Sequence, residues 1–479
     1  MHRLAGSDAG FLFIEGETQT STCVDVVLLA PASPDEALTP EVLRARVAAR
    51  LPTTPGLRRR MRPVPGGLGH GLWVDDPTFA LDRHLHHVVL PAPGEEAQLR
   101  AHLAQVLPLL LDRTRPMWAL TLVDGLAAGR QALVFQFHHT LADGAGLLET
   151  IRRLLDDRAA EVPPAPGSEP AAAPARDPGA ALVLVLTLWH QLVAWLGAPR
   201  LLVRTVRRFR AVERRRATAE VRVPGSLRDA PATVLNRSAD SNRDFARARL
   251  EMADVRAVRG AVGCTVSDVV LAVVTGALRD HLDDRDELPD KPLVANVPVG
   301  HEPPGAGPRT TGNHFSNYFA LLPTHLVDPR DQLAAVSAAT EESKHQLRLQ
   351  GMETIPAWID RIPPLVAARV AARLAARQRE GSAAPDFNVL ISNMRVSGGP
   401  WTLHGREVED FFMTGPVADG AGLNITVTGY GDHLTLALVV NPSAVERPEL
   451  LALGLEESMA RLRAATVGTP VVPRRGDVA

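Results

Sequence analysis

Phe135-Gln136-Phe137-His138-His139-Thr140-Leu141-Ala142-Asp143-Gly144 is the stretch that decides how the chain is read. It begins as a strand. From Leu133 the apolar residues alternate, so Leu133, Phe135 and Phe137 share one face. Continued alternation puts His139 on that face and turns His138 the other way. The two histidines therefore need not share a role. One suits a structural hydrogen bond, the other a cavity. Asp143 stands just before a helical pattern in which Leu147, Leu148, Ile151, Leu154 and Leu155 fall on one face. An aspartate there acts as an N-cap, accepting backbone N–H groups. Gly144 then permits a close backbone approach. An imidazole at a strand end, beside a sharp turn, is the arrangement of a general base. It suits acyl transfer from an activated thioester, where the protein must mainly deprotonate the acceptor.

A metal is the competing reading. His139 and Asp143 stand at i, i+4, but they straddle the turn, and no third ligand follows at a characteristic spacing. No metal and no resident cofactor are expected. His84, His86 and His87 read as a solvated loop patch. Cys23 and Cys264 are the only cysteines, too few for a disulfide framework, which fits a reducing cytoplasm. Neither lies in a motif of an activated nucleophile. The first residues carry no apolar signal segment, so export is not expected.

At 479 residues the chain exceeds one hydrophobic core, so two domains of roughly 200 residues each are expected. A net charge of −2 gives no bias toward nucleic acid. Only Lys291 and Lys344 are lysines. The arginine excess, with abundant Ala, Pro and Leu, reads as coding bias. Pro163–Pro178 is rich in Pro, Ala and Gly and reads as a linker. The expected division is 1–160, carrying the histidine motif; 161–221, a linker with an apolar helix and a basic run; 222–465, a second domain; and 466–479, a loose tail.

Both domains mix strands and helices. In the first, strands are expected at Val24–Leu29, Trp118–Val123 and Gln131–Phe137, and helices at Pro40–Ala49, Gln98–Leu107 and Gly146–Leu155. In the second, Thr265 caps a helix over Val266–Leu282. Strands are expected at Leu293–Val299, Tyr318–Leu322, Phe387–Ser392, Gly422–Gly429 and Leu434–Asn441, with a closing helix at Pro448–Leu462. Ala142-Asp143-Gly144-Ala145-Gly146-Leu147 recurs as Ala418-Asp419-Gly420-Ala421-Gly422-Leu423, without histidines and before a strand. Two domains of similar topology would explain it, but chance in an Ala/Gly-rich chain explains it slightly better.

His138-His139-Thr140-Leu141-Ala142-Asp143-Gly144 resembles the active-site motif of the bacterial wax ester synthase/acyl-CoA:diacylglycerol acyltransferase family, within the chloramphenicol-acetyltransferase-like superfamily. Condensation domains of non-ribosomal peptide synthesis share that motif, so other stretches narrow the likeness. Leu4–Leu12 resembles the family's opening segment, and Arg115-Pro116-Met117-Trp118 its Pro-Leu-Trp motif. Asn296-Val297-Pro298-Val299 and Gly312-Asn313 fall where similar patterns occur. Ile391–Pro400 resembles a Ser-Asn-Val-Pro-Gly-Pro stretch, and Gly415–Gly420 with Leu423-Asn424-Ile425 a late motif. Two departures stand out: Ser267-Asp268 where Asn-Asp is usual, and an inserted-looking Met394-Arg395.

The resemblance implies an α/β fold of two chloramphenicol-acetyltransferase-like domains with mixed sheets and an active site at their interface. It implies an O-acyltransferase that moves a long-chain acyl group from acyl-CoA to a fatty alcohol or a diacylglycerol. His139 is the implied base, His138 and Asp143 its supports, and Gly144 part of the loop. Pro116 and Trp118 are candidates for substrate binding, Trp118 in the acyl channel or else, as an apolar residue at a strand start, in the core. Ser392 and Asn393 are candidates for the oxyanion, or else a turn after a strand. The alternatives are a condensation-type enzyme with another thioester or an amine acceptor, and a catalytically silent lipid-binding protein. No pattern specifies an oligomeric state or a preference between the two acceptors.

Ala180–Leu196 is almost wholly apolar, and Arg200, Arg204, Arg207, Arg208, Arg210, Arg214, Arg215 and Arg216 follow it. Three readings stand open. A transmembrane helix needs about 20 apolar residues, so the segment is borderline. A helix lying on a membrane or lipid-inclusion surface suits the tryptophans and the basic flank. A crossover helix would pack against the domains. The interfacial reading fits an enzyme with lipid substrates, held peripherally on the cytoplasmic side. The arginines also suit CoA phosphates.

Overall fold

The computed structural model describes residues 2–33, 37–158, 179–224, 229–237, 240–302, 305, 307–379, 384–396 and 399–467. The Pro163–Pro178 linker and residues 468–479 of the expected tail lie outside them. The first part runs β1 His2–Arg3, α1 Gly6–Ile14, β2 Thr22–Leu29, α2 Pro40–Arg50, β3 Arg59–Arg62, β4 Leu72–Asp75, β5 Leu85–Val89, α3 Glu96–Val106, β6 Trp118–Asp124, β7 Gln131–His138 and α4 Gly144–Leu155. Helices α5 Ala180–Leu196 and α6 Ala198–Thr218 follow. The second part runs β8 Asp244–Glu251, α7 Met252–Val262, α8 Val266–Asp283, β9 Leu293–Gly300, β10 Phe315–Leu322, α9 Pro329–Gln350, α10 Thr354–Ile359, α11 Pro364–Arg379 and β11 Val389–Arg395. It closes with β12 Thr402–Leu403, β13 Arg406–Phe412, β14 Leu423–Tyr430, β15 His433–Val440 and α12 Pro448–Thr466.

Two mixed six-stranded sheets carry the site. Their orders are β12-β13-β2-β7-β6-β5 and β10-β9-β11-β14-β15-β8. The alternation of β7 does what its sequence implies. Leu133, Phe135 and Phe137 face one core with Leu147, Ile151, Leu154 and Leu155 of α4. Ala132 and Val134 face another with Leu99, Leu103 and Val106 of α3. That second core also takes Phe245, Phe412, Ala437 and Val439, so it joins the two halves. Arg100 ties them further, pairing with Asp244 at 2.5 Å and Glu449 at 2.8 Å.

The chain does not divide cleanly at residue 222. β12 and β13, late in the sequence, return to the first sheet, and β13 pairs antiparallel with β2 through Val408↔Leu29 and Phe412↔Val26. Central helix α8 is buried along most of its length, and Thr265 caps it. Thr265 Oγ1 accepts from Asp268 N at 3.2 Å while Asp268 Oδ2 accepts from Thr265 N at 2.9 Å. Helix α9 has no place in the sequence reading, for a physical reason. Its inward face includes Gln332, Ser337, Thr340, Glu342, Ser343 and Gln346, so the apolar period that marks a packed helix is weak.

The solvated-loop reading of His84, His86 and His87 changes. His84 is not solvated: it is buried, its ring stacks on Trp118 at 4.6 Å, and its Nδ1 lies 2.8 Å from the Trp118 carbonyl. His86 and His87 are exposed, but on edge strand β5 rather than in a loop. The two Ala-Asp-Gly-Ala-Gly-Leu copies are not equivalent. The first opens α4; the second turns at Gly420, with φ of 78°, into β14.

Helix α5 has the bounds of the apolar segment, and only Val183 and Thr187 of it are buried. Leu182, Val185, Leu188, Trp189, Leu192 and Leu196 are each more than half exposed. A crossover helix packed between domains would hide those residues. α5 meets α6 at a 48° bend, and no single helix among the described residues is long and apolar enough to cross a membrane. The bend rests on α10 and the turn after it: Arg361 Nε donates to the Ala194 carbonyl at 3.0 Å, and Trp358 Nε1 to Thr205 Oγ1 at 2.9 Å. Ile355, Leu365, Val366 and Val370 of α10 and α11 are also exposed. Helix α1 packs on α10 and α11.

Candidate active site

The histidines sit where β7 ends. His138 N donates to the Met117 carbonyl at 3.1 Å, and His139 N to the Ser21 carbonyl at 2.7 Å. His138 is fully buried. Its Nδ1 accepts from Thr140 N at 3.1 Å, so in the neutral ring Nε2 carries the proton. That nitrogen lies 3.1 Å from Glu15 Oε2. Burial pushes the Glu15 carboxyl up, but His138, the Arg113 guanidinium and Ser21 N–H together outweigh it and hold the carboxyl at about 2. His138 is therefore spent on the buried Glu15 carboxylate, which Arg113 also pairs, and does not line the cavity, as the alternation implies.

His139 has different surroundings. Its ring stacks on Phe11 with centroids 3.9 Å apart and planes 14° apart, and Phe315 leans on it at 6.0 Å. Nδ1 lies 3.0 Å from Asn313 Oδ1. The Asn313 amide nitrogen donates to Asp8 Oδ1 and to the His139 carbonyl, each at 2.9 Å. A carbonyl can only accept, so the amide nitrogen must face it and Oδ1 must face the ring. The ring proton is therefore on Nδ1, and Nε2 keeps its lone pair. Burial lowers the His139 pKa below the usual imidazole value, against a smaller upward pull from the ring's own backbone carbonyl, Asp143 and Asn313. The ring is neutral at neutral pH, as a base must be.

Asp143 holds the loop rather than the ring. Its Oδ1 accepts from Gly146 N at 3.1 Å and caps α4. Its Oδ2 accepts from His314 N at 2.8 Å and pairs with the Arg309 guanidinium. Asp143 N donates to the Gly312 carbonyl, and Gly312 N to that of Leu141. Gly312 has φ of 84°, a conformation a side chain would strain. Residues 309–314 of the second half thus clamp the histidine loop of the first.

Between the halves lies a cavity of about 300 Å³. Phe11, Cys23, His139, Gly144 and Leu147 form one side; Asn296, Phe315, Leu390, Ser392 and Asn393 form the other. An apolar wall with a few amides and hydroxyls suits a largely hydrocarbon ligand held by a polar group. Burial pushes the Cys23 thiol well above its ordinary value, so it is no nucleophile. Ser392 lies opposite Thr426 on the neighbouring strand, and both line the cavity. Met394 and Arg395 continue β11 in register with Thr428 and Gly429. Met394 lies against Gly144, where an added Cβ would come within 3.0 Å of its sulfur.

Residues 4–270 match the wax ester synthase/diacylglycerol acyltransferase catalytic domain, and residues 311–463 the C-terminal domain of the same family. The chain belongs to the wax ester synthase/diacylglycerol acyltransferase family. It is 32% identical over 468 residues to a putative diacylglycerol O-acyltransferase of Mycobacterium tuberculosis, covering 97% of this chain and 98% of that one. It is 29% identical to O-acyltransferase WSD of Acinetobacter baylyi, covering 81% and 82%. The solved wax ester synthase/diacylglycerol acyltransferase of Marinobacter aquaeolei superposes with a TM-score of 0.67 at 25% identity, covering 97% of this chain and all of that one. A starter condensation domain of rhizomide synthetase, at 15% identity and a TM-score of 0.53, shares the fold. This wax ester synthase/diacylglycerol acyltransferase family member is an acyltransferase acting on a lipid hydroxyl.

Not every expected site residue in this family member reaches the cavity. Pro116 and Trp118 do not line it. Trp118 is buried, donates from Nε1 to the Leu57 carbonyl at 2.7 Å, and stacks between His84 and Phe135. The stretch contributes through the Met117 carbonyl that holds His138 N. Ser267, in place of the usual Asn, hydrogen-bonds Tyr318. Four residues important to the geometry had no assigned role: Glu15, Phe11, Arg309 and Asn313. Phe11, within the family-like Leu4–Leu12, and Asn313, in the family-like Gly312-Asn313, gave a sequence signal without a function; Glu15 and Arg309 gave none.

Proposed function

We propose that the protein moves a long-chain acyl group from acyl-CoA to a fatty alcohol or a diacylglycerol, with His139 Nε2 as the general base. The observation carrying this reading is a neutral imidazole in a cavity, with Nδ1–H committed and the Nε2 lone pair free. Nε2 takes the proton of the acceptor hydroxyl as its oxygen attacks the thioester carbonyl. The tetrahedral intermediate collapses, and the imidazolium returns the proton to the departing CoA thiolate. Base catalysis of this kind supplies ~10²–10⁴-fold. Ser392 and Asn393, on the opposite wall, are the polar groups we assign to the developing oxyanion. His138 and Asp143 act as supports, and Gly144 gives the loop its close approach to the second half. The chemistry needs no metal, and among the described residues no group of three or more His, Cys, Asp or Glu side chains gathers to hold one.

The test is purified protein with palmitoyl-CoA and either hexadecanol or diolein, following thiol release and lipid product. Ester formation that survives EDTA is the expected result. Turnover lost to EDTA and restored by zinc would overturn the metal-free mechanism. Product with hexadecylamine but with neither hydroxyl acceptor would favour the condensation-type reading. No thiol release with any acceptor would leave a silent lipid-binding protein.

We further infer that α5 and the start of α6 lie on an anionic lipid surface, on the cytoplasmic side. An exposed apolar helix with tryptophans, followed by exposed Arg200, Arg204, Arg207 and Arg210, supports this placement. Arg208 and Arg215 are committed to Glu353 at 2.8 Å and Glu342 at 2.5 Å, so they hold α6 to the body instead. Wild-type protein should co-sediment with anionic vesicles and release as salt rises. Each arginine near such a surface contributes about 1 kcal/mol. Changing the four exposed arginines to Gln should therefore cost about 10²–10³-fold in vesicle affinity at low salt, with activity on detergent-dispersed substrate nearly unchanged. Binding that only detergent reverses would overturn the interfacial placement.

A further inference from the structure

We propose that Asn313 is a positioning residue that sets the tautomer of His139 from the opposite half of the molecule, and that Asp8 fixes the orientation of Asn313. The inference rests on the reading of His139 as the base. It goes beyond that reading by naming what makes the base competent.

Within the motif the ring's own carbonyl is one acceptor for its N–H, and Asn313 Oδ1 is a second, from across the molecule, 3.0 Å from Nδ1. An imidazole protonated on Nε2 would present a donor to the acceptor hydroxyl and could not take its proton. Asp143, the acid within the motif, does not accept from Nδ1, because its oxygens are taken by Gly146 N, His314 N and Arg309. Asn313 does, through Oδ1. It cannot rotate without setting an N–H against the ring and an oxygen against the His139 carbonyl. That exchange would lose two hydrogen bonds in a buried site.

Asp8 secures the arrangement. Its Oδ1 accepts from both Asn313 N and Asn313 Nδ2, each at 2.9 Å. Thr140 Oγ1, next to His139, donates to the Asp8 carbonyl at 3.1 Å. Three distant segments thus meet: α1, the end of β7 and the loop before β10. Burial raises the Asp8 carboxyl to about 6, with Asn313 and His314 pulling the other way, so it is ionised near neutrality and accepts both bonds. The charged and titratable groups facing this cluster are His314 toward Asp8, and Asp143 and His138 toward His139. Arg309 lines the neighbouring cleft with Asp8.

A neutral amide suits this role better than a carboxylate would. It stabilises Nδ1–H, and more so as positive charge forms on the ring, without raising the pKa of the resting base far. The proton balance is unchanged. One proton enters at Nε2 from the hydroxyl and leaves from Nε2 to sulfur, while the Nδ1 proton stays hydrogen-bonded to Asn313 throughout.

Two measurements test this. The first is the ¹⁵N–¹H spectrum of the wild-type imidazoles, with His139 assigned by the signal lost in His139→Ala. A His139 ring protonated on Nδ1 is expected; one protonated on Nε2 overturns the proposal. The second is the pH profile of kcat/KM in three variants. Asn313→Leu removes the acceptor at similar volume and should lower kcat by about 10²-fold or more, with KM for palmitoyl-CoA little changed, as misassigned tautomers do elsewhere. Asn313→Asp should keep more activity and move the acidic limb up by roughly one pH unit or more, because a carboxylate favours the imidazolium. Asp8→Asn keeps an acceptor oxygen and should retain more kcat than Asp8→Leu. A folded Asn313→Leu with wild-type kcat overturns the proposal, as does an Asn313→Asp profile without displacement. If Asn313→Leu does not fold, the wild-type spectrum and Asn313→Asp still decide. His139→Ala separates the two readings. Inactivity there with undisturbed Asn313 variants removes only the positioning role; full activity there removes the base itself.

Discussion

Replacing His139 by Ala is expected to abolish measurable ester synthesis while the protein stays folded. One nitrogen receives the acceptor proton and returns it to sulfur, so its removal costs at least the ~10²–10⁴-fold that a placed base supplies. The fold should tolerate the change. The ring is half-buried at a cavity wall, and its packing is mainly the stack on Phe11. His138→Ala should behave in the opposite way. It empties a fully buried site and leaves Glu15 without one of its partners, so the melting temperature should fall while more turnover remains. The acidic limb of kcat/KM should lie below the usual imidazole value, because burial favours the neutral ring, with activity rising as pH passes upward through it. Equal rates for wild type and His139→Ala would rule out the mechanism.

Asp143→Ala should lower both stability and rate. The substitution removes a helix cap, an event that typically costs ~0.5–2 kcal/mol. It also leaves His314 N without its acceptor and Arg309 without its mostly buried partner. Breaking a buried pair on one side costs ~3–5 kcal/mol, part of which Arg309 recovers through Glu302 at 2.8 Å. A loss of about 2–4 kcal/mol follows, readable by urea denaturation. Asp143→Asn keeps the acceptor for Gly146 N and should lie between. An unchanged melting temperature in Asp143→Ala would show that the loop is held by something else.

The parts of the fold legible in the sequence are those where one residue's neighbours in space are also its neighbours in the chain. β7 announces itself by alternation, α4 by its leucines, and α8 by Thr265 and an apolar run. The separate roles of His138 and His139 follow from strand geometry alone. What stayed hidden depends on contacts across the chain. Asn313 meets His139 across 174 positions and Asp8 across 305, and no local pattern encodes either. His84 looks hydrophilic by composition, but the indole of Trp118 gives it a stacking partner and a carbonyl. Trp118 stood between the acyl channel, suggested by the family motif, and the core, usual for an apolar residue at a strand start; the structure spends it on the core. β13 could not be placed, because nothing in Arg406–Phe412 says which sheet it will join.

That placement of β13 bears on how the chain is made. β2 is buried along its whole length once folded, and β13 is the strand that covers its outer side. About 270 residues separate the end of β7 from the end of β13. At ~5–20 residues per second of synthesis, β2 therefore waits on the order of 15–50 s at the ribosome with an unpaired, apolar edge. A nascent chain in that state is a template for wrong pairing. Stalling translation before Phe412 should yield a species that chaperones hold and that precipitates when released, whereas stalling after α12 should not.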